Sequence, residues 1–221
     1  MPKSQDVTSI DVNKISPRNT DETAFYINDE WSLSNVLAIN VGLRVPTYKT
    51  ETETYFRVEP RASVKVLLDG EASLKASYTV MNQFLHLVGG STASLPVDLW
   101  VPSSKVTKPQ RSEQYALGYF RNFKNNEIET SVEAYYKTME NQILFGQGTQ
   151  LLEQSNFDDI LVFGKGWSYG IEFFVKKNFG RLNGWVSYTL SKTEQKFNDI
   201  NFGRKFPFKY DRRHNLSVTG S

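Results

Sequence analysis

Strict alternation of apolar and polar residues constrains the fold of this chain more than any other feature. Residues 127–137 show it most clearly, with a mostly apolar set at every second position and a polar set between. The first set is Ile128, Thr130, Val132, Ala134 and Tyr136, and the second is Glu127, Glu129, Ser131, Glu133, Tyr135 and Lys137. Successive side chains of a β-strand point to opposite faces. The spacing therefore predicts a strand with one apolar and one charged face.

The same alternation recurs in residues 56–68, 73–80, 167–176 and 185–190. We predict about nine strands, the first beginning near Thr23 and the last covering residues 215–221. The best-defined strands are long enough to cross the hydrocarbon of a membrane when tilted, which takes about 9–11 residues. No helical period competes with this pattern. The sequence therefore predicts an all-β, antiparallel fold.

The connections between these strands alternate in length. Short connections are predicted at residues 32–35, 69–70, 125–126 and 179–181, and long ones at residues 45–55, 84–110, 138–164 and 193–212. Up-and-down barrels of the bacterial outer membrane have short periplasmic turns and long extracellular loops. Aromatic residues such as Trp31, Tyr55 and Phe123 lie near the predicted strand ends, where interfacial girdles are expected. We therefore predict a segment of a transmembrane β-barrel.

Alternation alone leaves other interpretations open. A soluble β-sandwich that binds carbohydrate also has one apolar and one polar face per strand. A small passive channel or an adhesion barrel would show the same strands and turns. A barrel enzyme is a further alternative, but Ser187, Ser191, Asp211 and His214 show no spacing typical of a catalytic triad, which is recognised by geometry. We predict no enzymatic activity.

The composition argues against several classes of partner. The chain has no cysteine and two histidines, His86 and His214, which are far apart in sequence. A metal site needs several convergent ligands, so we predict neither a metal site nor a cofactor. The net charge of +2 is nearly balanced and gives no reason to expect nucleic acid as a partner.

Five short motifs, in order, carry a resemblance to a known family. They are Phe25-Tyr26-Ile27-Asn28-Asp29-Glu30-Trp31 with Ile39-Asn40-Val41-Gly42-Leu43-Arg44, then Glu59-Pro60-Arg61-Ala62-Ser63, Tyr115-Ala116-Leu117-Gly118-Tyr119, Tyr169-Gly170-Ile171-Glu172 and Tyr210-Asp211-Arg212-Arg213-His214-Asn215-Leu216. The series resembles the barrel of TonB-dependent outer-membrane receptors. It is most similar to the branch whose members carry a carboxypeptidase-regulatory-like domain before the plug.

The resemblance implies a receptor in the bacterial outer membrane that binds and imports a scarce nutrient, namely a siderophore, a cofactor, an oligosaccharide or a peptide. Its implied partners are outer-membrane lipid, the plug domain, TonB and the nutrient itself. Such barrels have about 22 strands, so the resemblance implies an incomplete barrel, with the plug and the remaining strands absent. We expect residues 1–20 to form a surface loop or flexible segment and residues 21–221 to be part of one barrel domain.

Two groups of residues are candidate site residues. The charged positions on the polar faces are expected to face the lumen or the plug, because burying them in an apolar core would be costly; they include Arg57, Glu59, Arg61, Lys65, Glu129, Glu133 and Glu172. The long loops are expected to hold ligand-binding side chains, since loops on a rigid scaffold commonly carry recognition; the candidates are His86, Asp98, Trp100, Phe145 and Phe157.

Overall fold

The computed structural model describes residues 19–68, 70–89, 98–146 and 160–221. These residues form thirteen strands: β1 (Asp21–Ser32), β2 (Leu37–Lys49), β3 (Thr54–Phe56), β4 (Glu59–Leu67), β5 (Ala72–Gln83), β6 (Leu85–Gly89), β7 (Asp98–Pro102), β8 (Gln110–Phe123), β9 (Ile128–Phe145), β10 (Leu161–Lys177), β11 (Gly184–Phe197), β12 (Phe206–Pro207) and β13 (His214–Gly220). A short 3-10 turn covers Asn201–Gly203. None of the helical structure in these ranges is long and apolar enough to cross a membrane.

Nine of the strands form one antiparallel meander that follows the chain. Its order is β1, β2, β4, β5, β8, β9, β10, β11 and β13. The short strand β3 extends the pairing of β2, and β12 extends that of β11. Strands β6 and β7 form a separate hairpin. Within the described ranges β1 and β13 each pair on one side only, so the sheet is open. The predicted antiparallel, incomplete barrel of about nine strands is confirmed.

The register of the strands separates the sheet into two faces. One row across seven neighbouring strands consists of Ile39, Val64, Ala76, Leu117, Ala134, Ile171 and Leu190. The adjacent row, one residue along, consists of Ala38, Lys65, Lys75, Gly118, Glu133, Glu172 and Thr189. Directly opposite residues share a face of a sheet. We call the face of the first row the apolar face and that of the second row the polar face.

Nothing covers the middle of the apolar face within the described ranges. Leu117 is 57% exposed, and Phe173 and Val175 are 41% and 47% exposed. A soluble sandwich would bury these side chains against a second sheet. An uncovered apolar face of this extent is instead typical of contact with a membrane or another apolar partner. The open meander therefore argues against the sandwich alternative.

The short connections lie where the sequence predicts them, between β1 and β2, β4 and β5, β8 and β9, and β10 and β11. In the third, Lys124, Asn125 and Asn126 all have positive φ angles, at 53°, 54° and 68°. Asparagine tolerates this left-handed conformation better than most residues because its short side chain can hydrogen-bond locally. This tolerance is why Asn125-Asn126 predicts a tight turn.

The long connections contain more strand than the sequence predicts. β2 continues to Lys49, β9 to Phe145 and β11 to Phe197, well into segments predicted as loops. The predicted loop at residues 84–110 contains the β6–β7 hairpin. Backbone pairing continues there because each protruding strand keeps its neighbour as a hydrogen-bonding partner. The strands therefore extend beyond the bounds predicted from the sequence at these positions.

The buried apolar residues of the chain lie mainly in these protruding segments. Val88 and Val101 of the hairpin pack with side chains of β9, β10 and the residue before β10, forming a cluster that we call the loop core: Val88, Val101, Ile143, Phe145, Ile160 and Leu161. Immediately before the hairpin, the ring of Phe84 stacks on that of Tyr48, with centroids 4.8 Å apart and planes 9° apart. The hairpin is therefore held onto the protruding ends of the sheet by apolar packing.

Candidate functional site: the polar face and the protruding loops

The charges of the polar face are segregated along one row. Lys65 lies directly opposite Lys75, and Glu133 lies directly opposite Glu172, with Gly118 between the two pairs. Like charges in directly opposite positions repel each other. Glu133 accepts a hydrogen bond of 3.3 Å from Ser131 Oγ. Across the described ranges, neither Glu133 nor Glu172 forms an ion pair, so this acidic pair has no cationic partner in the sheet.

Glu59 is hydrogen-bonded to residues of both neighbouring strands. Its side chain is almost fully buried and receives a hydrogen bond of 2.8 Å from Arg44 Nη1. The backbone N–H of Asn82 donates a second bond to its carboxylate at 2.7 Å. Arg44 also pairs with Glu22 at 3.0 Å. Because a buried carboxylate requires such partners, Glu59 links β2, β4 and β5 and has little capacity left for a further contact.

Arg61 lies along the sheet surface next to Gly42. A Cβ at Gly42 would lie 2.9 Å from Arg61 Cγ and 2.6 Å from Asn28 Oδ1. The absence of a side chain at Gly42 therefore makes room for the stem of Arg61 on the polar face. Arg61 is exposed and forms no ion pair among the described residues, so its guanidinium group is available for contact.

Arg57 and Glu129 have partners of their own. The guanidinium of Arg57 lies 5.1 Å from the ring centroid of Tyr55, between β3 and β4. Glu129 accepts a hydrogen bond of 2.7 Å from Asn178 Nδ2 and lies 3.9 Å from Lys176 Nζ, near the short connections. Among the described residues, the predicted polar-face residues that form neither an ion pair nor a cation–π contact are Arg61, Lys65, Glu133 and Glu172.

Two of the predicted loop residues are buried. His86 has no exposed surface, and its Nε2 lies 2.9 Å from the equally buried Ser103 Oγ. Burial lowers the pKa of His86 to about 4, so its imidazole is neutral at pH 7. Phe145 is 8% exposed and belongs to the loop core. In this conformation neither side chain offers a surface to a ligand.

Trp100 is the predicted loop residue that the structure leaves accessible. Its side chain is 58% exposed and lies opposite Leu87, which is 47% exposed. Leu85 and Leu87 were not predicted as exposed loop residues, although the short, mostly apolar run of residues 84–88 could have indicated a strand. Phe157 and the side chain of Asp98 lie outside the described residues.

The residues considered for catalysis bind other partners. Ser191 Oγ donates to the backbone oxygen of Arg212, and His214 Nδ1 lies 2.8 Å from the hydroxyl of Tyr188. Asp211 accepts the backbone N–H of Thr193 at 2.7 Å. These contacts do not form the chain of hydrogen bonds that a triad requires. Across the described ranges, no three His, Asp or Glu side chains are grouped so as to hold a metal ion.

Comparison with known families agrees with this architecture. A model of the family described as TonB dependent receptor-like, beta-barrel, matches residues 3–221. The chain belongs to this family. The resemblance of the five sequence motifs to the barrel of TonB-dependent receptors is therefore confirmed. No curated protein matches the chain.

Solved receptor barrels share the fold of this family member. The ferripyoverdine receptor of the outer membrane of Pseudomonas aeruginosa, bound to ferripyoverdine, is 18% identical over 91% of this chain, with a TM-score of 0.65. The alcaligin outer-membrane receptor of Bordetella pertussis is 18% identical over 91%, with a TM-score of 0.59. The ferric-catecholate import receptor of E. coli K12 is 17% identical over 91%, with a TM-score of 0.63. The chain spans 26%, 34% and 32% of these receptors, respectively.

Proposed function

We propose that this chain forms part of the barrel wall of an outer-membrane receptor that binds a scarce nutrient and imports it with energy from TonB. The observation that carries the proposal is the open nine-strand meander with an uncovered apolar face, in a chain that belongs to the receptor family. Hydrocarbon solvates an apolar face without cost, and a closed barrel satisfies every backbone amide. In such a receptor this chain has no catalytic role.

The polar face then lines the lumen and meets the plug domain. The opposed carboxylates of Glu133 and Glu172 supply two negative charges at adjacent positions, and Lys65 and Lys75 supply two positive charges on the other side of Gly118. A plug with an arginine or lysine against the acidic pair would relieve its repulsion, because charge-assisted hydrogen bonds to carboxylates are among the stronger ones. Arg61, Glu133 and Glu172 are our candidates for plug contact.

The nutrient is contacted by the protruding loops. Three of the receptors with this fold are named for ferripyoverdine, alcaligin and ferric catecholate, which favours an iron chelate among the possible nutrients. Trp100 is the candidate contact residue, because its ring is exposed on a hairpin anchored by the loop core. Aromatic side chains give a large contact area to an organic ligand. The other nutrients to be compared are a cobalamin-like cofactor, an oligosaccharide and a peptide.

The proposal is tested by uptake in cells that express the intact receptor containing this chain. Labelled ferric siderophores, cobalamin, oligosaccharides and peptides are supplied one at a time, with and without a functional TonB. The proposal predicts uptake of one class that disappears without TonB. Uptake that continues unchanged without TonB would instead support a passive channel.

A second comparison tests the loop surface. Trp100→Ala is expected to raise the nutrient concentration for half-maximal uptake about thirtyfold or more, since aromatic truncation at a binding hot spot costs about 2 kcal/mol or more. Trp31→Ala, which removes the same side chain from β1 at the other end of the strands, is the matched control. Equal effects of the two substitutions would exclude a specific role for Trp100.

A further inference from the structure

The apolar face changes its chemical character along β10 and β11. Successive pairs on this face are Ile171 with Leu190, Tyr169 with Lys192, Trp167 with Glu194, and Lys165 with Lys196. Moving away from the short connection, the face along β10 therefore passes from aliphatic through aromatic to cationic side chains, whereas on β11 the charged side chains begin at Lys192. The same order of chemistry is found across a membrane boundary, from hydrocarbon through the interface to charged headgroups.

The aromatic level is continuous across four strands. Tyr78, Tyr115, Tyr136 and Tyr169 occupy one row of the apolar face. The ring centroids of the first two are 4.9 Å apart, and those of the last two are 6.3 Å apart. Tyrosine is enriched where hydrocarbon meets the headgroups, because its ring is apolar and its hydroxyl is polar. Side chains beyond this row on β10 and β11 are thus at headgroup level.

Two lysines face each other beyond this level without a counterion. Lys165 and Lys196 are directly opposite, both are exposed, and neither forms an ion pair with a residue in the described ranges. They border a cavity of about 560 Å³ that is also lined by Phe163, Trp167, Asn141 and Glu140. A bulge in β9 lies beside this cavity, where Asn141 has a φ of 55°. Opposed like charges are unfavourable, and a bound anion would remove the cost.

A third ammonium group, from the loop after β11, lies against the ring of one cavity-lining residue. Lys205 Nζ lies 4.1 Å from the ring centroid of Trp167. By contrast, Lys192 is already paired with Glu194 at 2.7 Å. Glu140 is the one carboxylate among the cavity-lining residues, and it forms no ion pair with Lys165 or Lys196. The cavity therefore carries a net excess of positive charge.

We propose that this cavity, which is lined by Lys165, Lys196 and Trp167 and has Lys205 against the Trp167 ring, binds a phosphate group of a lipid headgroup in the outer leaflet of the membrane. The charges fit a phosphate, and the apolar face directly below the cavity fits the acyl chains of the same molecule. A soluble anion would need only the charges and would gain nothing from this continuity. The inference rests on the proposed insertion of the chain in the outer membrane.

The test uses the intact receptor containing this chain, purified in a non-ionic detergent. Binding of a bis-phosphorylated glycolipid and of its dephosphorylated form is measured by native mass spectrometry. The triple variant K165Q/K196Q/K205Q is compared with K49Q/K105Q/K108Q, which removes three exposed lysines elsewhere. The wild type and the control variant are expected to bind the phosphorylated lipid at least about tenfold more tightly than the triple variant does, since each lysine near an anionic surface contributes measurably.

Two results would overturn the inference. One is equal affinity of the wild type and the triple variant for the phosphorylated lipid. The other is displacement of that lipid by millimolar inorganic phosphate, which would identify a site for free anions. Nutrient uptake separates this inference from the proposed function. If uptake depends on TonB but the receptor binds the phosphorylated and dephosphorylated lipids equally, only the inference is refuted. If the receptor prefers the phosphorylated lipid but shows no TonB-dependent uptake, only the transport proposal is refuted.

Discussion

Glu133 on β9 and Glu172 on β10 lie directly opposite each other on the polar face. Directly opposed like charges destabilise a sheet. Among the described residues no cation offsets this repulsion. The arrangement is explained if the partner belongs to another part of the receptor, so that the wall by itself carries a repulsion that binding of the plug relieves.

Neutralising one member of this pair is expected to loosen the plug without weakening the barrel. Glu172→Gln removes the repulsion between the strands and also removes a charge-assisted contact, which is worth about 1.5–3 kcal/mol. The measurement is the urea concentration at which the plug of the intact receptor becomes accessible to protease, and we expect it to fall. Thermal unfolding of the barrel is expected at an equal or slightly higher temperature.

Glu51→Gln is the control for this experiment, because Glu51 is an exposed residue of the connection between β2 and β3. It changes the net charge equally and leaves the polar face intact. If the plug of the Glu172→Gln receptor resists urea as well as that of the control, then Glu172 is merely solvated by water in the lumen.

Acid is expected to open the β6–β7 hairpin. Burial lowers the pKa of His86 from 6.5 to about 4. Because the opened hairpin takes up the proton more readily than the closed one, the stability of the closed form is constant above pH 6.5. It falls as the pH drops from 6.5 to about 4, by roughly 3 kcal/mol in total. Hydrogen exchange of the hairpin amides, corrected for intrinsic rates, measures this loss of protection between pH 7 and pH 5.

Two variants assign the effect to His86. His86→Gln keeps a nitrogen that can reach Ser103 and does not titrate, so protection of its hairpin is expected to lose the pH dependence. His214→Gln removes the other histidine of the chain, which is exposed, and is expected to retain it. A hairpin that opens in acid equally in both variants would show that another group is responsible.

The sequence was sufficient to predict the strands and the faces of the sheet, because side-chain alternation follows directly from strand geometry. The row from Ile39 to Leu190 was predictable in this way. The loop core, in contrast, was not predictable from the sequence. Val88 and Ile143 are far apart in the chain, and their contact depends on how a hairpin folds back onto protruding strands, which no local pattern encodes.

The same limit applies to the site residues. Glu59 and Glu172 look alike in sequence, since both are glutamates on the polar side of a strand. The structure separates them, because Glu59 is buried with Arg44 and Asn82 whereas Glu172 is exposed opposite a second carboxylate. Partners on neighbouring strands determine whether a charge is free, and those partners are set by register. His86 was predicted as a ligand-binding loop residue but is buried, and its burial likewise depends on how the hairpin packs.

Truncation of the loop core is expected to affect the protruding hairpin alone. Ile143→Ala leaves a cavity beside Val88 and Val101 and should cost about 2–5 kcal/mol of local stability. The measurement is the rate at which an external protease cleaves the hairpin on intact cells, which we expect to rise. The amount of receptor in the outer membrane should not change.

Ile171→Ala makes the same chemical change on the apolar face and provides the comparison. Lipid tails can fill the space left by the missing atoms there, so hairpin cleavage should match that of the wild type. Faster cleavage in both variants would indicate that the hairpin and the strands carrying the apolar face form one cooperative unit, contrary to the separation that we describe.

Gly184 is the position where a single methyl group should interfere with strand pairing. It begins β11 with a φ of 151°, and a Cβ there would collide with the backbone oxygen of Thr219 on β13. Gly184→Ala therefore combines backbone strain of about 1–3 kcal/mol with separation of the two strands. We expect less receptor to reach the folded, heat-modifiable form in the outer membrane.

Gly70→Ala is the control, since a Cβ at Gly70 meets no atom within 4 Å. Equal yields of folded receptor from the two variants would mean that β13 does not pair with β11 at this position in the assembled barrel.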